Sequence, residues 1–304
     1  MIVPEPLKPK DTVGLVCPSS PVSHERVLAC KAFVESMGYE VKVGRACYEA
    51  YHGYLAGSPE QRADDINSMF ADPSVKAIFC IRGGYGSSQI MELLDYELIA
   101  RNPKIFVGYS DITNLNVAFS TLCNMVTYHG PMVSSNMLEH YDDYTRSSFE
   151  AAISMNTELY HQNPVSEPMK VLAPGTCEGT VIGGNLALLI NLLGTFYAPD
   201  FHNKVLFIED IYESIPRIHR MLDQLRLLHI FNQLAGVLIG DFSECSKEDN
   251  DRYTIDDFLQ EYFADMKIPV ISNVKCGHCY PTATIPLGLT CTLDTSSGIV
   301  KFSR

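Results

Sequence analysis

Short apolar runs alternate with stretches of helical period through the amino-terminal half of the chain. Thr12-Val13-Gly14-Leu15-Val16 reads as a buried strand, and the helix predicted from Ser23 spaces Val27, Cys30, Val34 and Met37 along one face. Glu40 to Val43 is the next strand. Ser58-Pro59-Glu60-Gln61 combines a cap, a first-turn proline and a capping-box glutamine, and its helix aligns Ala63, Ile66 and Phe70. Lys76 to Ile81, the run ending at Val107, and Met125 to Tyr128 complete a βαβαβαβαβ pattern, which predicts a parallel, doubly wound α/β sheet. Polar or glycine-rich residues follow nearly every strand: Cys17 to Ser20, Arg82 to Ser88, Ser110-Asp111 and His129-Gly130-Pro131. Ligands of open α/β sheets bind at the carboxyl edge, so this edge is the expected site.

After Ser134 the pattern lapses. Residues 156–178 are rich in Pro, Asn, Gln, Glu and Thr and have no period, as expected of a linker. Beyond it, Gly179 to Asn185 hands over to a helix from Leu186 to Leu193, and Val205 to Ile208 is a strand ending in Glu209-Asp210. Ile215-Pro216 opens a helix with an apolar stripe at Ile218, Met221, Leu222, Leu225 and Leu228. Ala235 to Ile239 and Val270 to Val274 are strands around a helix from Thr254 to Met266, and a hairpin closes the chain around Thr295 to Gly298. The expected division is a flavodoxin- or Rossmann-like α/β domain over 1–155, a linker over 156–178, and a smaller mixed α/β domain over 179–304.

Composition narrows the function. With 36 acidic against 23 basic side chains the 304-residue chain carries a net charge of -13, and it has no basic run, so nucleic acid and anionic membranes are not expected partners. Neither a bilayer-spanning apolar run nor the hydrophobic core of a signal peptide is present, which points to the cytoplasm. Ten cysteines at irregular spacing, in a chain without an export signal, read as reduced, small hydrophobes.

The stretch Lys104 to Asn114 carries the strongest chemical signal: a strand, a tight Gly108-Tyr109-Ser110 bend and a helix start. A serine there leaves the sheet at its carboxyl edge together with the backbone N–H of Asp111, supplying a nucleophile and one oxyanion donor. An N-cap is the plain alternative. A catalytic serine needs a base and an orienting acid. Two histidines stand out: His129 after a buried strand, and His278 in Lys275-Cys276-Gly277-His278-Cys279. Glu209 is the candidate acid, because a carboxylate at the end of an apolar strand is costly without a partner; Asp210 and Glu213 read as helix-entry charges. Arg82-Gly83-Gly84-Tyr85-Gly86 lacks the Lys-Ser/Thr of a nucleotide loop and suits a second oxyanion arm. Cys276-x-x-Cys279 has a redox spacing, but Pro281 and Pro286 forbid the helix that would activate its first cysteine, and a second ligand pair for zinc is lacking.

Taken together, Gly108-Tyr109-Ser110-Asp111-Ile112-Thr113, Ile81 to Gly86, Gly183-Gly184-Asn185-Leu186, Phe207-Ile208-Glu209-Asp210 and Gly277-His278 resemble the motifs of the LD-carboxypeptidase family of serine peptidases, which also includes the microcin C immunity hydrolases. The likeness covers nearly the whole chain. It implies Ser110 as nucleophile, His278 as general base, Glu209 as its orienting carboxylate, and the backbone N–H groups of Gly84 and Asp111 as the oxyanion hole. It further implies two domains with the site in the cleft between them, no metal or other cofactor, and hydrolysis of the amide between an L-centre (meso-diaminopimelate or lysine) and the terminal D-alanine of a murein tetrapeptide in cell-wall recycling. Cys279 beside the base departs from the family pattern. Arg82, on the site edge, is the candidate anchor for the free carboxylate, with Tyr85 beside it. A small murein peptide is thus the expected partner; homodimerisation is left open. The nearest competitor is the immunity-type hydrolysis of aminoacyl-sulfamoyl adenylates, disfavoured because those relatives use aromatics including tryptophan to stack adenine and this chain has no tryptophan. A non-catalytic two-lobe binding protein shares the architecture but does not need Ser110, Glu209 and His278 together. An ordinary α/β-hydrolase wants glycine where Ile112 stands.

Overall fold

In the computed structural model, which describes residues 1–155, 157–245 and 253–304, the chain builds two sheets. The amino-terminal part runs β1 (Thr12–Val16), α1 (His24–Ser36), β2 (Glu40–Val43), α2 (Pro59–Ala71), β3 (Val75–Cys80), α3 (Tyr96–Arg101), β4 (Ile105–Val107), α4 (Thr113–Cys123), β5 (Thr127–His129) and α5 (Asp143–Ile153). There follow β6 (Glu158–His161), β7 (Lys170–Ala173), β8 (Thr176–Asn185), α6 (Leu186–Leu192), β9 (Lys204–Ile211), α7 (Ile215–Leu227), β10 (Gly236–Ser243), α8 (Ile255–Phe263), β11 (Val270–Ser272), β12 (Ile285–Leu287), β13 (Thr290–Asp294) and β14 (Ile299–Ser303).

The first sheet has the order β12-β5-β4-β3-β1-β2, with β1 to β5 parallel and β12 antiparallel at the edge. Connections leave β1 in one direction and β3 in the other, which creates a topological switch point between them. The loops after β1, β3 and β4 therefore meet over one crevice. In the second sheet, β6-β14-β13-β8-β9-β10-β11-β7, the central strands β8 to β11 are parallel and the flanking ones antiparallel. The predicted caps form as read: Ser23 Oγ accepts from Arg26 N, and the Ser58–Gln61 capping box closes in both directions.

Two expectations need correction. Residues 157–178 are no structureless linker, since they hold β6, β7 and the start of β8; Asn156 lies outside the described residues. β6 and β7 are the two edge strands of the second sheet and expose much of their length, so they lack an apolar rhythm. Helix α5 also forms inside the lapse, capped by Asp142 and seated through Phe149, Ala152 and Ile153. The two parts also pack on one another: one apolar cluster joins Phe106 and Leu115 to Leu186, Leu206 and Ile239, and β12, from the carboxyl-terminal part, pairs with β5 through Ile285 opposite His129.

Candidate active site

Ser110 follows β4 directly and adopts φ 63°, the left-handed region that side chains rarely enter. The strain has a geometric origin. Between the end of β4 and the start of α4 only a short 3₁₀ turn, Ser110–Ile112, is available, and Gly108 must lie so close to it that an added Cβ would come 2.8 Å from Ile112 and 3.1 Å from Cys80. The half-buried serine is thus held at an elbow facing the crevice. The loop after β3 covers it: a Cβ on Gly83 would come 3.1 Å from Ser110 Cβ and 3.4 Å from its Oγ. Gly84 has φ 105° and is packed against Ser20, where a Cβ would meet Ser20 Cβ at 2.7 Å. Neither the Gly84 nor the Asp111 amide is used in a hydrogen bond among the described residues.

The side chain of Asp111 turns away from the crevice. Buried, it accepts hydrogen bonds from Ser19 Oγ (2.6 Å) and Ser87 N (2.8 Å), while Ser87 Oγ donates to its backbone carbonyl (2.6 Å). One carboxylate thereby ties together the loops after β1, β3 and β4. Burial raises its pKa, opposed by these hydrogen bonds and by the Arg62 charge. Arg62 itself, on α2, is 1% exposed. It donates to the carbonyls of Pro18 (2.6 Å), Gly86 (2.7 Å) and Gly57 (3.3 Å) and to Gln89 Oε1 (2.7 Å). Sequence reading missed it, because an arginine one position from an apolar helical stripe looks like a surface residue; a buried cation answering carbonyls of two glycine-rich loops is visible only in three dimensions.

The candidate acid lies on β9 of the second sheet and the candidate base on the loop that follows β11. Glu209, on β9, has no solvent exposure and accepts from Nδ1 of His278 through Oε2 at 2.7 Å. Gly240 and Gly277 make room for it: a Cβ on Gly277, at φ 121°, would come 2.6 Å from Oε2. Burial is the largest influence on Glu209 and would raise its pKa, but the charge and hydrogen bond of His278 outweigh it and leave the carboxylate below its usual range. For His278 burial again acts first, to lower the pKa, and the Glu209 charge and hydrogen bond overcome it and raise the imidazole above its ordinary value. Tyr109, next to the serine, packs edge-on against the His278 ring with centroids 4.8 Å apart, so the serine bend and His278 are neighbours. Among the described residues Ser110 Oγ and His278 Nε2 make no hydrogen bond to each other.

His129, the other candidate base, is buried beside Phe207 and Tyr109 on the far side of Glu209, its Nε2 3.9 Å from Oε1. Burial drives its pKa down to about 4, so it is neutral at neutral pH and that approach is not an ion pair. Asp210 is a helix cap, though for α6 rather than α7: its Oδ2 accepts from Ala187 N and its Oδ1 from Asn185 Nδ2. Glu213 pairs with Arg217 on α7 at 3.3 Å. All ten cysteines are free, and burial pushes the Cys279 thiol up to about 12 and Cys276 well above its usual value, which makes both inert. Arg82 is exposed, donates to the Pro21 carbonyl at 3.2 Å, and lines a groove of about 430 Å³ with Arg26, Ser134, Ser135 and Tyr280. Tyr85 is 55% exposed with Tyr54 beside it. Among the described residues no helix is long and apolar enough to cross a membrane.

Ser110 thus stands at the carboxyl edge of a doubly wound sheet, and the carboxyl-terminal part of the chain brings the bonded His278–Glu209 pair beside its neighbour Tyr109, within a two-sheet α/β fold. The chain belongs to the LD-carboxypeptidase family: the family's N-terminal domain matches residues 13–130 and its C-terminal domain residues 178–293. It is 37% identical over 295 residues to a probable murein peptide carboxypeptidase of Bacillus subtilis, covering 96% of this chain and 92% of the relative. Among solved structures it is similar to the microcin C7 self-immunity protein MccF in the wild-type apo state (TM-score 0.92, 25% identity, 100% of this chain and 99% of the other). It is also similar to muramoyltetrapeptide carboxypeptidase from Oxalobacter formigenes (TM-score 0.83, 28% identity, 96% of this chain and 97% of the other).

Proposed function

We propose that this carboxypeptidase removes the terminal D-alanine from murein tetrapeptides by serine catalysis, with Ser110 as nucleophile, His278 as general base and Glu209 as its orienting carboxylate. The observation that carries the reading is the buried 2.7 Å bond from His278 Nδ1 to Glu209 on a sheet that faces the strained Ser110 bend. Glu209 fixes the tautomer that leaves Nε2 free to accept a proton, and its charge stabilises the imidazolium that forms. Ser110 Oγ attacks the amide carbonyl, Nε2 takes the hydroxyl proton and returns it to the amine of the departing D-alanine. Water then attacks the acyl-enzyme with the same base, releasing the tripeptide and restoring the serine. The unused amides of Asp111 and Gly84 are the proposed oxyanion donors, each expected to contribute roughly 2.7–4 kcal/mol to the transition state.

Arg82 directly precedes Gly83, which packs on Ser110, and this adjacency supports its assignment as the anchor for the free carboxylate of D-alanine, with the exposed Tyr85 beside it in the same loop. The second reading, hydrolysis of an aminoacyl-sulfamoyl adenylate, is favoured by the 0.92 TM-score to MccF, and the absence of tryptophan weighs against it. Side-by-side assays with a murein tetrapeptide and an aminoacyl-sulfamoyl adenylate decide between them. D-alanine release with little turnover of the adenylate is expected, and the reverse preference overturns the first reading. We further propose that the chain acts in the cytoplasm in cell-wall recycling; the peptide pool of a strain lacking it, which should accumulate the tetrapeptide, tests this.

A further inference from the structure

Glu209 sits between two imidazoles, and only one of them has a role so far. Its Oε2 is held by His278, whereas Oε1 is buried without a hydrogen-bond partner. Nε2 of His129 lies 3.9 Å from it, and the Asn185 amide also neighbours the carboxylate. Both ring nitrogens of His129 are equally buried and unpartnered. Three orphaned polar atoms in one pocket are expensive, roughly 1–3 kcal/mol each, and one small rotation toward Oε1 satisfies two of them. The pocket restrains the ring otherwise. Phe207 and Tyr109 flank it at centroid distances of 5.0 and 5.6 Å, and glycine at 184 leaves just enough room, since a Cβ there would come 3.3 Å from Nδ1. The backbone of His129 is fixed as well, in register with Ile285 of β12.

We infer that His129 is a positioning residue of the reaction: it donates its Nε2–H to Oε1 of Glu209, so that the carboxylate is gripped at both oxygens and presents Oε2 to His278 in one orientation. A neutral donor suits this place. It fixes the carboxylate without cancelling the charge that His278 needs, as a lysine or arginine there would. Burial keeps His129 neutral, consistent with that role.

The inference rests on the assignment of His278 and Glu209 above, and its test reads the hydrogen bond separately from activity. In ¹⁵N-histidine spectra of the full chain, assigned with His129→Gln and His278→Gln, His129 is expected as the Nε2–H tautomer with a hydrogen-bonded proton that shifts upfield in Glu209→Gln and stays in place in Ser110→Ala. A proton on Nδ1, or an Nε2–H resonance indifferent to Glu209→Gln, overturns it. In kinetics His129→Phe should lower kcat about 10- to 100-fold with KM within about twofold, as when a partner orienting a functional side chain is lost. His129→Gln, which keeps an N–H, should recover most of that loss. Equal kcat in the Phe and Gln variants contradicts a donor role. An active Ser110→Ala enzyme, by contrast, removes the serine mechanism and leaves the spectroscopic result standing.

Discussion

Nδ1 of His278 lies 2.7 Å from Oε2 of Glu209, a carboxylate with no solvent exposure, reached from 69 positions away in the chain. Each group depends on the other, because a buried carboxylate without its cationic or N–H partner costs several kcal/mol. Glu209→Gln keeps the shape but offers no charge to the imidazolium and favours the wrong tautomer. A fall in kcat of about 10⁴-fold, the size seen for an equivalent change in a serine triad, is expected. Steady-state kinetics with KM near wild type would check it.

The pH profile follows from the raised pKa of His278. A general base must be neutral, so kcat/KM should fall as pH drops through that pKa. Its acid limb should therefore lie above the ordinary imidazole value of about 6.5. In Glu209→Gln burial acts unopposed by the Glu209 charge, and the limb should move to lower pH. A limb that stays in place would separate it from His278.

Gly277 permits the pair to form. An added Cβ would come 2.6 Å from Glu209 Oε2, at a φ of 121° that an L-residue tolerates poorly. Gly277→Ala is predicted to destabilise the fold by about 1–3 kcal/mol and to reduce kcat beyond what lost folded protein explains. Denaturant titration alongside kinetics distinguishes the two effects.

Arg62 holds the loops after β1 and β3 without touching the crevice. Arg62→Met leaves the Pro18 and Gly86 carbonyls without their donor, and a loss of about 3 kcal/mol is expected. Chemical denaturation measures it; an unchanged midpoint would show that these loops do not need the guanidinium.

His129 gives a stability prediction with a definite sign. Its folded pKa of about 4 lies below the unfolded value of about 6.5, so between them the unfolded chain holds the extra proton. The stability it contributes is complete above pH 6.5 and falls away toward pH 4, by about 3 kcal/mol in all. Asp210, which burial and the Glu209 charge raise to about 6, acts in the opposite sense over nearly the same range. Comparing wild type with His129→Gln isolates the histidine: from pH 7 to pH 4.5 the variant should gain about 2 kcal/mol relative to wild type.

The parallel first sheet and the bend at Ser110 were legible because local signals agreed: apolar runs, caps at Ser23 and Ser58, and a glycine where Gly108 must approach Cys80. Glu209 could be singled out since a charge ending the apolar run Val205 to Ile208 demands a partner, and that partner's identity came through a resemblance of motifs. What could not be read is non-local. The strand Ile285-Pro286-Leu287 carries a proline, which suits an edge, and its membership of the first sheet depends on a pairing with Tyr128 and His129. Strands β6 and β7 lack an apolar rhythm because much of each faces solvent, whereas α5 has a helical burial pattern whose apolar members, Phe149, Ala152 and Ile153, are confined to its second half. Both histidines were visible as candidates; that they flank one carboxylate was not.

Serine catalysis requires that Ser110 become covalently attached to substrate. Rapid-quench mass spectrometry of the enzyme with a murein tetrapeptide, followed by peptide mapping, detects that bond. A tripeptidyl adduct is expected on the fragment containing Ser110, and it should disappear in Ser110→Ala together with D-alanine release. An adduct on another side chain, or undiminished D-alanine release by Ser110→Ala, would contradict it.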